Sequence, residues 1–171
     1  MAEPSFHIVL HEPEIHYNTG SVGRTCVALG AKLWLVRPLG FRLDDRRLRR
    51  AGLDYWEHLD WEVVNDWNAL LERLPDRQPW LFTKTATRVY TNATFRPGDV
   101  LVFGSETRGL PQSLLDGNTD RILRIPIHEN ARSLNLSVSV AVAAFEAKRQ
   151  CEAPHSIKPR PLVAPRITKR M

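Results

Sequence analysis

Ser133-Leu134-Asn135-Leu136-Ser137 sets hydroxyl and amide side chains just before the last long apolar run of the chain. The stretch follows a proline-marked strand end, Arg124-Ile125-Pro126-Ile127, and opens a segment that reads as helix to about Gln150. The first amides of a helix lack partners within it, so small polar side chains at such a junction can grip a polar or anionic ligand. Two other segments have the same strand-loop-helix character. They are Asn18-Thr19-Gly20-Ser21-Val22-Gly23-Arg24 and Phe103-Gly104-Ser105-Glu106-Thr107-Arg108-Gly109-Leu110-Pro111. Three polar loops punctuating one α/β chain point to a composite site.

What is missing narrows the chemistry. No Gly-x-Gly-x-x-Gly follows a strand, and no Gly-x-x-x-x-Gly-Lys-Ser/Thr occurs, which disfavours an ordinary dinucleotide site or a nucleotide hydrolase. Gly-x-Ser-x-Gly is absent and no Ser/His/Asp set can be argued from spacing, so acyl transfer drops out. The segment from Gly104 to Gly109 is too charged for a bare phosphate loop. Gly104, directly after an apolar strand, would let backbone approach a ligand closely. Glu106 and Arg108 could pair with each other or with a loop amide instead of serving a ligand, and spacing alone leaves this open.

The elements that must position these loops alternate along the chain. Phe6 to Leu10 reads as a buried strand, and Asn18 is a good cap for a helix from Gly20 to Leu29, with Gly30 suited to the left-handed position after it. Lys32 to Val36 is the next strand. Asp44 can cap a short, very basic helix from about Asp45 to Ala51. Trp61 to Asn65 looks like strand, and Asp66 caps Trp67 to Leu74. Trp80 to Thr83, Val100 to Phe103 and Arg121 to Ile125 read as strands, and Pro111 suits the first turn of a short helix to Leu115. Strands alternating with helices predict one α/β domain, a mainly parallel sheet with helices on both faces. Ligands of such sheets bind beyond the carboxyl ends of the strands, where all three polar loops lie.

At 171 residues the chain has room for one domain with a sizeable core. No apolar run reaches membrane-spanning length, so no membrane partner is expected. The stretch from Met1 to Ser5 runs straight into a strand-like segment, which reads against a secretory leader. Cys26 and Cys151 are the only cysteines, which predicts a reduced, cytoplasmic protein without a disulfide framework. Neither has a Cys or His neighbour at ligand spacing, so no metal is expected. The net charge of +5 comes from the end of the chain. Residues 153–171 hold Lys158, Arg160, Arg166, Lys169 and Arg170, no acid, and four prolines. This basic, proline-rich tail is expected to be extended or disordered beyond a domain over residues 1–152. It reads either as a solubilising end or as an arm that meets phosphates.

Together the three polar segments resemble the signature motifs of the SPOUT superfamily of RNA methyltransferases, in its ribose 2′-O-methylating branch. The likeness continues through His11-Glu12-Pro13-Glu14-Ile15 and through Asp44-Asp45-Arg46-Arg47-Leu48-Arg49-Arg50-Ala51-Gly52-Leu53-Asp54-Tyr55. Those blocks look like the minimal, single-domain family that methylates the wobble nucleotide (cytidine or modified uridine) of bacterial leucine tRNAs. The resemblance covers about Phe6 to Gln150. It departs at His16-Tyr17, where an aromatic-proline pair is usual, at Ser105, where proline is common, and at Val138-Ser139.

The resemblance implies a C-terminal trefoil knot, which periodicity could not have indicated because knots are rare. It implies S-adenosylmethionine as methyl donor, held by Phe82, Thr83, Gly104, Glu106, Ile125 and Ser133, with no metal. It implies a homodimer through the C-terminal helix and tRNA as partner. Arg24, Ser133 and Asn135 would carry the catalysis. A guanidinium holds its proton up to a pH above about 12, so Arg24 acts either as a base with a lowered pKa or by positioning the adjacent phosphate. Arg46, Arg47, Arg49 and Arg50 would grip tRNA, and 46, 49 and 50 share a helical face. The alternatives are the same chemistry on ribosomal RNA, or a non-catalytic RNA-binding protein of this fold.

Overall fold

Short runs rich in Val, Leu, Trp and Phe make the strands, and those runs are apolar on both sides because both faces of the sheet are covered. The computed structural model describes residues 3–43 and 54–152. Its strands are β1 (His7–His11), β2 (Lys32–Val36), β3 (Trp61–Val64), β4 (Trp80–Phe82), β5 (Val100–Phe103) and β6 (Ile122–Leu123). They form one sheet in the order β3-β2-β1-β5-β4-β6, and every pairing is parallel. The helices are α1 (His16–Leu29), α2 (Trp67–Arg73), α3 (Gln112–Leu115) and α4 (Leu136–Cys151). Among the described residues, no helix is long and apolar enough to cross a membrane.

Alternation along β1 divides the core. Ile8 and Leu10 point to one face, where they join Val22 and Cys26 of α1 and Leu136, Val140, Ala143, Ala144 and Ala147 of α4. Val9 points to the other, among Leu70 of α2, Leu115 of α3 and Trp34. The buried positions of α4 recur at helical spacing, so one stripe of it faces the sheet. Burial pushes the Cys26 thiol up to about 12, which leaves it an inert core group.

Register then fixes the site. Leu10 lies opposite Phe103, Phe103 opposite Phe82, and Phe82 opposite Leu123. The carboxyl ends of β1, β5, β4 and β6 therefore share one edge. The chain steps outward from β1 to β2 and β3, and β5 occupies the other side of β1. Such a reversal opens a crevice between diverging loops.

Most expected elements stand within a residue or two, including the Asp66 cap, whose carboxylate accepts from the Ala69 amide at 2.8 Å, and Gly30 at φ +67°. Two differ. The first helix begins at His16 rather than Gly20, so Asn18 lies inside its first turn and does not cap it. The physical reason is a carboxylate from a distant loop, described below, that serves the helix start. The last strand has two residues instead of five, because it is an edge strand that pairs with β4 alone. The expected basic helix of residues 45–51, with Arg46, Arg47, Arg49 and Arg50, and the tail of residues 153–171 lie outside the described residues.

At the opposite end of β1, His7 is buried and its Nδ1 accepts from Trp34 Nε1 at 3.0 Å. Burial, with the charges of Arg77 and Lys32, lowers its pKa from 6.5 to about 4. Between those values the unfolded chain binds a proton that the folded chain refuses. Stability is thus present in full above pH 6.5 and falls as pH drops toward 4, by at most about 3 kcal/mol. Urea titrations across that window should show a smaller loss for His7→Gln, which keeps an acceptor for Trp34 without the titration. Equal pH slopes for the two proteins would remove His7 from the account.

Candidate functional site

Gly104 closes β5, and its lack of a side chain is used at once. A Cβ there would fall 2.0 Å from the carbonyl carbon of Gly109 and 2.2 Å from the nitrogen of Leu110. The loop therefore doubles back on its own start. The Gly109 amide donates to the Ser105 carbonyl at 2.9 Å, and Gly109 takes φ +70°, a value that suits glycine. The close approach that Gly104 permits is to this loop's own backbone. That tight turn holds Glu106 out toward the loop that follows β1.

The Glu106 carboxylate meets three donors there. The amides of Glu14 and Ile15 reach it at 2.8 and 3.2 Å, and Asn18 Nδ2 reaches it at 2.8 Å. Ile15 is the N-cap of α1 and supplies no side-chain cap of its own, so Glu106 serves the helix start from across the crevice. A negative group at a helix N-terminus is also favoured by the aligned peptide dipoles. The exchange is reciprocal. Thr107 donates through its amide (3.1 Å) and its hydroxyl (2.6 Å) to the Glu14 carboxylate. Arg108 pairs with Glu12 at 2.9 Å, not with Glu106.

The third loop joins through amides. Asn135 Nδ2 donates to Asn18 Oδ1 at 2.9 Å, while Asn135 Oδ1 accepts from the amide and hydroxyl of Ser137 at 2.8 and 2.7 Å. Asn135 thereby caps α4. Asn18, Glu106 and Asn135, far apart in sequence, form one hydrogen-bonded chain.

Of the remaining candidates, Phe82, Thr83 and Ile125 stand at or just beyond the carboxyl ends of β4 and β6, on the same edge. Phe82 and Phe103 stack at 4.6 Å and 15° at the ends of β4 and β5. Thr83 continues the register, its amide donating to the Leu123 carbonyl at 2.9 Å and its hydroxyl meeting that of Thr85 at 3.1 Å. Ile125, half-buried against the core, follows β6. Ser133 is exposed two residues before Asn135, and Arg24 is exposed on α1. The arginines at 46, 47, 49 and 50 are not described. Sequence reasoning missed Glu14, Thr107 and Glu12. No spacing rule foretells contacts between residues more than ninety positions apart, although the charged His11–Ile15 block was the place to look. Among the described residues, no group of three or more His, Cys, Asp or Glu side chains could hold a metal ion.

Charge-assisted hydrogen bonds of this kind each contribute about 1.5–3 kcal/mol, less where water screens them. Replacing Glu106 with Ala should raise hydrogen exchange at the Glu14 and Ile15 amides by about tenfold or more, with little change in the β2 and β3 amides. Unchanged protection of Glu14 and Ile15 would show that the carboxylate does not hold the loop.

The sequence profile of the SpoU rRNA Methylase family matches residues 5–145 of the chain. The tRNA (cytidine(34)-2'-O)-methyltransferase of Saccharophagus degradans is 46% identical over 146 residues, which span 85% of this chain and 95% of that protein. A structure solved for the 2-OH methylation of C/U34 on tRNA superposes with a TM-score of 0.81 at 46% identity, covering 87% of this chain and 97% of the other. A SpoU methyltransferase from Streptomyces viridochromogenes, in complex with AdoMet, shares the fold with a TM-score of 0.73 at 22% identity, over 88% of this chain and 59% of that one. A parallel sheet whose strand ends gather three motif loops, and a family match over most of its length, place the chain in the SpoU methylase family.

Proposed function

We propose that the chain transfers a methyl group from S-adenosylmethionine to the ribose 2′-oxygen of the wobble nucleotide, cytidine or uridine 34, of tRNA, most naturally leucine tRNA, in the cytoplasm. The observation that carries this reading is the Glu106–Asn18–Asn135 chain, which draws the three motif loops to one sheet edge. Family membership and relatives of nearly equal length, whose activity is named for that nucleotide, support it. The same length match favours tRNA over ribosomal RNA. The chain spans only 59% of the rRNA methyltransferase of Sinorhizobium meliloti.

The strand ends fit the proposed donor. The stacked Phe82 and Phe103 give an apolar backing suited to a purine, and backbone and hydroxyl groups at Thr83, Gly104, Ile125 and Ser133 offer polar contacts. When bound, the donor supplies an electrophilic methyl group on a sulfonium sulfur. The protein must align the acceptor, receive or relay its proton and exclude water. Ser133 and Asn135 orient the reacting groups, and Glu106 fixes the loop. Arg24 either takes part in removing the hydroxyl proton or holds the neighbouring phosphate.

The finer architecture belongs to the same proposal. A trefoil knot at the C-terminal end is supported by membership of the family. A homodimer through α4 is supported by its second face, where Val138, Val142 and Phe145 recur at helical spacing and are 46%, 36% and 50% exposed. The domain would end near residue 152, with the basic tail beyond it as an RNA-facing or solubilising arm.

Arg24→Ala should lower methyl transfer to tRNA by at least about a hundredfold while calorimetry still detects S-adenosylhomocysteine binding. Undiminished transfer would reject its role. Replacing Arg46, Arg47, Arg49 and Arg50 with Ala should weaken tRNA binding and reduce the slope of log Kd against log salt, by roughly 0.7–0.9 for each phosphate that the variant no longer neutralises. An unaltered slope would take that block out of the interface.

A further inference from the structure

Among the described residues, Tyr17 is the most exposed of the large apolar side chains, at 65%. It stands in the first turn of α1, next to Asn18, whose amide links Glu106 to Asn135. A bare aromatic ring beside the site is unexplained by packing. We propose that Tyr17, backed by His16, is a platform on which an unpaired base of the RNA substrate stacks, next to the ribose that accepts the methyl group. This rests on the transferase reading given above.

The surroundings favour that occupant. The His16 imidazole lies against the phenol ring, with centroids 4.0 Å apart and planes 36° from parallel. Phe41 stands behind His16 at 6.4 Å. The loop bearing Phe41 is itself seated. The Gly40 amide donates to the Pro13 carbonyl at 2.9 Å, and a Cβ on Gly40 would fall 2.7 Å from the Glu14 backbone. The ring is thus braced from behind and open in front, so stacking a base on it costs little further rotamer freedom.

Position on the helix supplies the rest. Residues 17, 21, 24 and 28 recur at helical spacing, and all are exposed, so Tyr17, Ser21 and Arg24 share one outward face. Seven residues at 1.5 Å put Tyr17 and Arg24 about 10 Å apart along the axis. That span suits a base on one and the sugar-phosphate of its neighbour on the other. RNA loops present splayed bases that proteins take up on aromatic rings. A face of tyrosine, serine and arginine fits such a ligand better than it fits a second copy of the chain, for which α4 offers Val138, Val142 and Phe145.

The test uses the full chain and a tRNA anticodon stem-loop carrying 2-aminopurine at successive loop positions. Tyr17→Ala should raise the Kd and the KM for this RNA about tenfold or more, in the range that base-aromatic stacking gives elsewhere. It should leave S-adenosylhomocysteine affinity and the sedimenting species as they are. Tyr17→Phe and Tyr17→Trp should bind like the parent, and one 2-aminopurine position should show a fluorescence change that Tyr17→Ala abolishes. Unchanged Kd in Tyr17→Ala, or equal loss in Tyr17→Phe, would overturn the platform. So would a change of oligomeric state that tracks the loss of RNA affinity, since the face would then be a subunit contact. Binding decides the question even if no methyl group is transferred, a result that would overturn the transferase reading instead.

Discussion

The active edge depends on one carboxylate, Glu106, lodged under the Glu14 and Ile15 amides that lead into α1. The extended isoleucine that opens the helix offers no side-chain acceptor to the amides around the helix start. A missing cap of this kind costs about 1 kcal/mol. Here the acceptor comes from the loop after β5, so the helix start is satisfied only when β1 and β5 lie side by side and end level. A local need of the backbone thus selects a tertiary arrangement. The return contact from Thr107 to Glu14 makes the selection mutual, because each loop supplies the acceptor that the other needs.

The same carboxylate sets the direction of a longer chain. An ionised Glu106 can only accept, so Asn18 must turn its Nδ2 toward it. Asn18 Oδ1 then faces Asn135 Nδ2, and Asn135 Oδ1 is left for the Ser137 amide at the start of α4. Every amide orientation follows from one acceptor-only group. Glu106 therefore orders the N-termini of both helices that cover this face of the sheet. Removing it would disturb α4 as well as α1, because its hold on α4 runs through the two intervening amides.

Much of this was legible in the sequence, and the reasons differ by element. Strands were visible because parallel strands buried on both faces read as unbroken apolar runs, as at residues 33–36 and Val100–Phe103. Gly30 and Asp66 announced helix ends through local chemistry. The start of α1 departs from expectation for the same reason that makes the site work. Asn18 is a good cap by type, yet its side chain is committed to Glu106 and Asn135, and the helix starts earlier on a borrowed acceptor. The role given to Ile125 came from resemblance alone, whereas Gly104 after an apolar strand and Ser133 before a helix pointed to ligand contact by type and place, without saying which ligand. Glu14 and Thr107 were illegible because their partnership exists only once β1 and β5 pair.

Fixing α1 at both ends constrains what its outer surface can do. Its start is held by Glu106 and its end is closed by Gly30, whose amide reaches the Cys26 and Val27 carbonyls. Gly23 brings it close to its neighbours, since a Cβ there would meet Trp56 and Leu59 at 2.9 and 3.0 Å. A helix so confined cannot roll, and rolling by one residue would swing Tyr17, Ser21 and Arg24 by about 100°. The outward face is therefore as fixed as the strands beneath it. α4 lies beside α1 and turns outward an apolar stripe where α1 turns a polar one. Two neighbouring helices held by one carboxylate thus present unlike surfaces in a constant relation, one apolar and the other largely polar. An enzyme that must hold a sugar hydroxyl in line with a methyl group needs that relation constant, because the alignment tolerates errors of only about an ångström.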